Sequence, residues 1–225
     1  LMGYRMMARL VRPLGWDGRI PDQGFYNSGQ KVAAIGMVGG AIPAYRLPQE
    51  QIDQDLGVLE ELGVKIRYGL QAGVDFSLED LRDQGFEYLF LGVGAQLAKK
   101  LGLPGENSEG IMDALLFLRS VREENPVPIG KRVGVIGAGD TAMDCIRSAY
   151  RLGSEVTLIY RRTIDQMPAD REEIRGAIEE GIEIVELAKP EELRIEDGKL
   201  AGLVCRKMEY RGDRDKSGRK SPHDV

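Results

Sequence analysis

Residues 131–162, KRVGVIGAGDTAMDCIRSAYRLGSEVTLIYRR, decide how this chain folds. An apolar strand is predicted over 133–136. It runs into Gly137-Ala138-Gly139-Asp140-Thr141-Ala142, a helix-forming segment follows, and a second apolar strand covers 156–160. Strand, glycine turn, helix and strand in this order are what a dinucleotide-binding unit requires. Gly137 permits the tight turn, Gly139 lets the backbone approach a pyrophosphate, and the small Ala142 lets the helix lie close to its strand. The N–H groups at the helix start, at the positive end of its dipole, would face the phosphates.

The second strand ends in Arg161-Arg162, where an NAD-preferring site has an acidic residue for the ribose 2′-OH. Glu155 stands at the wrong end of that strand and Asp165 lies beyond it in the loop. Two guanidiniums suit a 2′-phosphate, which they grip through planar, charge-assisted hydrogen bonds. At roughly 1.5–3 kcal/mol per charged hydrogen bond, NADPH would be favoured over NADH by at least about tenfold. Glycine-rich turns also occur in purely structural loops, and two arginines at a strand end can be solvated charges. Four coincident signals (strand, helix, second strand and basic residues at the right offset) favour the nucleotide.

The 225 residues suffice for one large domain or two small ones. A 42% hydrophobic and 30% charged composition with 29 glycines fits an α/β protein with many turns. The net charge of −5 argues against general nucleic-acid binding, and no apolar run approaches membrane-spanning length. Cys145 and Cys205 form no CxxC pattern. That excludes a self-contained iron–sulfur or zinc site and fits a reducing, cytoplasmic setting. Cys145 reads as a small buried hydrophobe on the nucleotide-site helix, and Asp144 beside it as a solvated position. The single histidine, His223, lies in a polar stretch, so no catalysis rests on histidine.

Working outward, residues 1–14 carry Arg5, Arg9 and Arg12 without an acid and read as a targeting segment or a surface helix, most simply a helix left over from a longer upstream region. Residues 15–30 read as a loop. A short strand over 31–35 enters Gly36-Met37-Val38-Gly39-Gly40, a second opening of the nucleotide type, but Pro43 and Pro48 follow instead of a helix. The pattern then predicts a helix over 49–62, a strand over 64–68, a short helix from a Ser77-to-Asp80 capping box, and a strand over 86–93. A helix over 111–124 and a linker over 125–130 precede the dinucleotide unit. After it come a helix to about Glu180, a strand over 182–187 and a hairpin around Asp197-Gly198. Residues 211–225 show no periodicity and read as a mobile polar tail.

Ile42-Pro43-Ala44-Tyr45-Arg46-Leu47-Pro48, then Phe90-Leu91-Gly92-Val93-Gly94-Ala95, then GAGDTAMD and YRRTIDQMPA form an ordered set. On these motifs, over roughly residues 31–210, the chain resembles the small (beta) subunit of NADPH-dependent glutamate synthase. It is also similar to the amino-terminal flavin/NADPH part of dihydropyrimidine dehydrogenase. The resemblance implies an FAD-dependent pyridine nucleotide oxidoreductase, in which NADPH reduces flavin and electrons pass through iron–sulfur clusters of a partner subunit or domain to an acceptor site. It implies NADPH on Gly137, Ala138, Gly139, Asp140, Thr141 and Ala142 with Arg161 and Arg162, Arg46 against the flavin, and Gly94-Ala95 at the crossing between the two domains. Set against that family's pattern, one βαβ unit, about 30 residues or more, is expected to be absent after Gly36, and the last strand of the NADPH domain likewise.

The expected fold is therefore α/β: a Rossmann-like parallel sheet with flanking helices, plus an incomplete flavin-domain portion. The expected divisions are an N-terminal extension over 1–30, a partial FAD-domain-like segment over 31–125, an NADPH-binding domain over 126–210 and a tail over 211–225. An NADPH-dependent flavoprotein subunit stands against a non-catalytic NADP(H)-binding or docking fragment of a larger electron-transfer complex. A short-chain or hydroxyacid dehydrogenase is disfavoured, because no Tyr-x-x-x-Lys pair or catalytic histidine follows Arg162.

Overall fold

The computed structural model describes residues 6–11, 32–37, 42–93 and 100–225. They fall into two compact units, Leu1–Gln96 and Leu97–Val225.

The first unit is built on β1 (Met6–Val11), β2 (Val32–Met37), α1 (Gln49–Glu61), β3 (Val64–Arg67), α2 (Leu78–Asp83) and β4 (Tyr88–Gly92). Its sheet has the order β3-β1-β2-β4. β2 and β4 run parallel, from Val32↔Tyr88 to Gly36↔Gly92. β1 is antiparallel to β2, with Met6 opposite Met37 and Val11 opposite Val32, and antiparallel to β3 on its other side. The surface helix read from residues 1–14 is thus corrected to a strand over 6–11. Pairing along both edges outweighs a local preference that a short helix could not sustain alone.

In the strand order 3-2-1-4 of a doubly wound sheet, β2 takes place 1, β4 place 4 and β3 place 3. β1 fills the remaining place, next to β2, with its direction reversed. The IPAYRLP segment is a tight turn in which the Pro43 carbonyl accepts from the amides of Arg46 (3.0 Å) and Leu47 (3.1 Å). α1 starts directly after Pro48 and is stopped past its cap Leu62 by Gly63, at a φ of 81°. α2 opens on the expected capping box. The Ser77 hydroxyl accepts from the Asp80 amide (3.1 Å), and the Asp80 carboxylate accepts from the Ser77 amide (2.7 Å).

The second unit begins with α3 (Ala114–Arg122), so this helix belongs with the nucleotide-type motif. β5 (Arg132–Ile136), α4 (Asp140–Arg151), β6 (Glu155–Ile159), α5 (Arg171–Glu179) and β7 (Glu183–Val185) follow. β5, β6 and β7 form a parallel sheet in chain order. β8 (Ala188–Glu196), β9 (Lys199–Arg214) and β10 (Lys220–Asp224) form a second, antiparallel sheet. The β8–β9 turn has Asp197 at φ 47° and Gly198 at φ 78°, the two left-handed positions that an Asp-Gly hairpin needs.

The mobile tail read from residues 211–225 is corrected here. β9 extends to Arg214 and β10 returns along it, joined by a turn over Asp215-Lys216-Ser217-Gly218 in which the Gly218 amide donates to the Asp215 carbonyl (2.9 Å). The polar composition hid a strand pair in which residues 211–214 of β9 are exposed and residues 220–223 of β10 are half-buried.

The core of this unit centres on α4, where Met143 and Ile146 have no exposed surface, and on the fully buried Leu158 of β6 and Leu118 of α3. Arg147 of α4 pins α5, donating to Glu173 (2.5 Å) and Glu180 (2.9 Å), and Arg151 also reaches Glu180 (2.8 Å). Burial pushes the Glu180 carboxyl up, but the hydrogen bonds from Arg147 and Arg151 outweigh it and hold the group below its ordinary value. A carboxylate whose value is lower folded than unfolded stabilises fully above the ordinary range near ~4.3 and loses that contribution as pH falls through the folded value. Thermal melts of Glu180→Gln should therefore lie a few degrees below those of the parent chain at pH 7. The gap should close at about pH 3. A gap of equal size at both pH values would show that the network contributes nothing through charge.

Candidate nucleotide-binding site

The turn between β5 and α4 is shaped by two glycines with different roles. Gly137 sits at φ 138°, where only glycine is unstrained, and a Cβ there would meet Ala142 Cβ at an ordinary 3.5 Å. Its amide donates to the Ile159 carbonyl (3.2 Å), which carries the β5–β6 ladder one step into the turn. Gly139 is the N-cap of α4, at φ −92° and ψ 177°, with no side chain to cap the helix. A Cβ on Gly139 would touch nothing within 4 Å. The turn is therefore open on the side that Gly139 faces, and Asp140 and Thr141 supply helix-start amides without an intrahelical acceptor.

The loop after β6 closes over the other side of the turn. The Ala169 amide donates to the Ala138 carbonyl (3.2 Å), and the Asp170 amide to Asp140 Oδ1 (2.9 Å). Asp170 in turn caps α5 by accepting from the Glu172 amide (2.8 Å). The single acid in the first turn of α4 is thus held to the start of α5. Ala138 and Ala142 are buried, and Ala142 faces Gly137 at the distance that close helix–strand packing needs.

The two arginines have different surroundings. Arg161 is exposed. It follows Ile159, whose carbonyl bonds Gly137, by two residues, so it stands at the same carboxyl end of the parallel sheet as the glycine turn. Arg162 is 3% exposed. Its guanidinium donates to Asp215 Oδ2 (2.5 Å) and to the Lys220 carbonyl (2.9 Å), so a pair of equivalent free guanidiniums is not what the structure holds. Asp215, Tyr210, Gln166 and Lys220, which brace this loop from the β9–β10 hairpin and from within, were not singled out from sequence. The one available signal was Asp215 three residues before Gly218, a type I turn pattern.

Asp144 is buried, not solvated, at 5% exposure. Cys145 is buried as expected. Its thiol is pushed up to about 12 by burial first and then by the charges of Asp144 and Asp113, which makes it a poor nucleophile. Both cysteines are free. In the first unit Arg46 is exposed on the IPAYRLP turn, and Gly94 and Ala95 lie outside the described residues. No helix among the described residues is long and apolar enough to cross a membrane.

The fold and this turn define a dinucleotide-binding α/β protein. The family profile described as pyridine nucleotide-disulphide oxidoreductase matches residues 28–213, and the chain belongs to this family. It is 38% identical over 195 residues to the NADPH-Fe(3+) oxidoreductase subunit beta of Geobacter sulfurreducens, covering 84% of this chain and 29% of that protein. It is 34% identical over 198 residues to the glutamate synthase [NADPH] small chain of Escherichia coli, covering 82% and 42%. The chain thus spans less than half the length of these relatives. Mycobacterium tuberculosis FprA in complex with NADPH shares the fold, with a TM-score of 0.64 at 17% identity over 83% of this chain and 57% of that one.

The two glycines predict separable effects on stability. Gly137→Ala should destabilise the chain by about 1 kcal/mol or more through its positive φ. Gly139→Ala should leave the denaturation midpoint nearly unchanged, since its Cβ fits the backbone and meets nothing. Urea unfolding of both variants checks this, and equal losses would overturn the division.

Proposed function

We propose that this chain binds NADP(H) on residues 137–142 and forms the pyridine-nucleotide side of an NADPH-dependent FAD oxidoreductase related to the glutamate synthase small subunit. The observation that carries the reading is the open face of Gly139 at the start of the twelve-residue α4, with the exposed Arg161 at the same carboxyl end of the sheet. When both cofactors are bound, NADPH supplies a hydride and FAD accepts it.

The chain's own residues bind and orient. Gly139 leaves room for the pyrophosphate, the amides of Asp140 and Thr141 face it at the positive helix end, and Ala138 and Ala142 keep the turn against its strand. Arg161 takes the 2′-phosphate through charge-assisted hydrogen bonds, with Arg162 anchoring the strand end behind it. No side chain needs to move a proton. Arg46 is the candidate contact on the flavin side. Iron–sulfur clusters and the acceptor site would belong to a partner subunit or domain. The printed names of the Geobacter and Escherichia relatives, both NADPH-linked subunits, support this reading. Two free thiols are in keeping with a reducing, cytoplasmic compartment.

A second reading is a docking fragment without activity of its own. It is favoured by β4, an apolar strand with Phe90 at 66% and Leu91 at 60% exposure, which invites a covering partner. A flavin absorption band bleached by NADPH supports the reductase, and a colourless chain that FAD cannot reconstitute supports the fragment.

The nucleotide assignment is checked by calorimetric titration with NADP+ and NAD+. The parent chain should prefer NADP+ by at least about tenfold. Arg161→Ala should remove most of that preference, and Gly139→Ala should weaken both cofactors. Equal affinity of the parent chain for NADP+ and NAD+ would overturn the assignment of Arg161.

A further inference from the structure

Resting on the NADP(H) reading above, we propose that Asp215, in the turn between β9 and β10, is a positioning residue for cofactor choice. It holds Arg162 in place, and that in turn fixes the direction of Arg161.

Arg161 has anchored neighbours on both sides. The Tyr160 amide donates to the Val185 carbonyl (2.9 Å), the Tyr160 carbonyl accepts from the Ala188 amide (3.0 Å), and the Arg162 carbonyl accepts from the Leu187 amide (3.2 Å). Residues 161 and 162 form a bend directly after β6, in which the Arg162 side chain is buried toward the hairpin while Arg161 stays exposed.

The buried guanidinium needs a counter-charge, and Asp215 is the carboxylate that supplies it, at 2.5 Å. Asp215 is itself pre-set for the role. Its other oxygen accepts from the Ser217 hydroxyl (2.5 Å), the Ser217 amide (2.8 Å) and the Arg219 amide (3.2 Å). The same hairpin braces the next residues of the loop. The Thr163 amide donates to the Tyr210 hydroxyl (2.9 Å), and the Lys220 amide donates to Gln166 Oε1 (2.8 Å). A guanidinium left unpaired in this pocket would move to solvent, and the backbone that aims Arg161 would move with it.

The test is titration of the full chain with NADP+ and NAD+. Asp215→Asn, which keeps the shape and removes the charge, should weaken NADP+ by about tenfold and NAD+ by less than about twofold, because NAD+ has no 2′-phosphate to lose. Asp215→Glu should restore part of the preference. Should Asp215→Asn fail to fold, Arg162→Gln, which gives up the same ion pair from the other side, carries the test, with the loss again confined to NADP+. Equal weakening of both cofactors, or no change in their ratio, overturns the positioning role while the parent chain's preference for NADP+ leaves the cofactor assignment intact. A parent chain that does not bind NADP+ overturns the cofactor assignment itself, and the positioning role with it.

Discussion

The burial of α4 is the constraint on which the second unit depends. The helix packs against α3, α5, β5 and β6, and Met143, Ile146 and Ala149 have at most 1% of their surface exposed. Each large apolar side chain buried this way contributes about 1.5–3 kcal/mol. Because the helix cannot slide, its N-terminus is fixed against the end of β5. The Gly137–Gly139 turn takes its shape from that fixed distance. Ala142 belongs to the same requirement, since a larger residue there would push the helix away from Gly137.

Around this rigid centre the edge of the site is held by polar contacts of long sequence separation. Residues 160–170 receive hydrogen bonds from, or give them to, the glycine turn, β7, β8, β9 and β10. The antiparallel sheet thus acts as a brace for the loop after β6. A bracing sheet can be polar on its surface, because its work is done by backbone and by a few anchored side chains.

How far the sequence could be read follows from the range of each interaction. The β5–turn–α4–β6 unit was legible because its signals are local: apolar runs, glycines at fixed offsets and a small residue one helical turn on. The capping box of α2 and the Asp197-Gly198 hairpin were legible for the same reason. Arg162 was not, because its partner Asp215 lies in a stretch whose composition resembles that of a tail, and nothing near Arg162 announces it. Asp144 misled in the other direction, since an acid on a helix reads as solvated unless the whole helix is known to be enclosed. The strand Met6–Val11 is set by pairing with β2 and β3, and such pairing leaves no mark in six residues.

That strand has a consequence for the polarity of the first sheet. In a parallel neighbour, the residue that reads an adenosine ribose arrives at the carboxyl end of the strand, beside the glycine turn of strand 1. β1 enters the sheet there instead, with Met6 opposite Met37, and delivers its own carboxyl end, Val11, to the far edge beside Val32. The carboxyl end of β2 is therefore bordered by the start of an antiparallel strand and not by the exit of a parallel one.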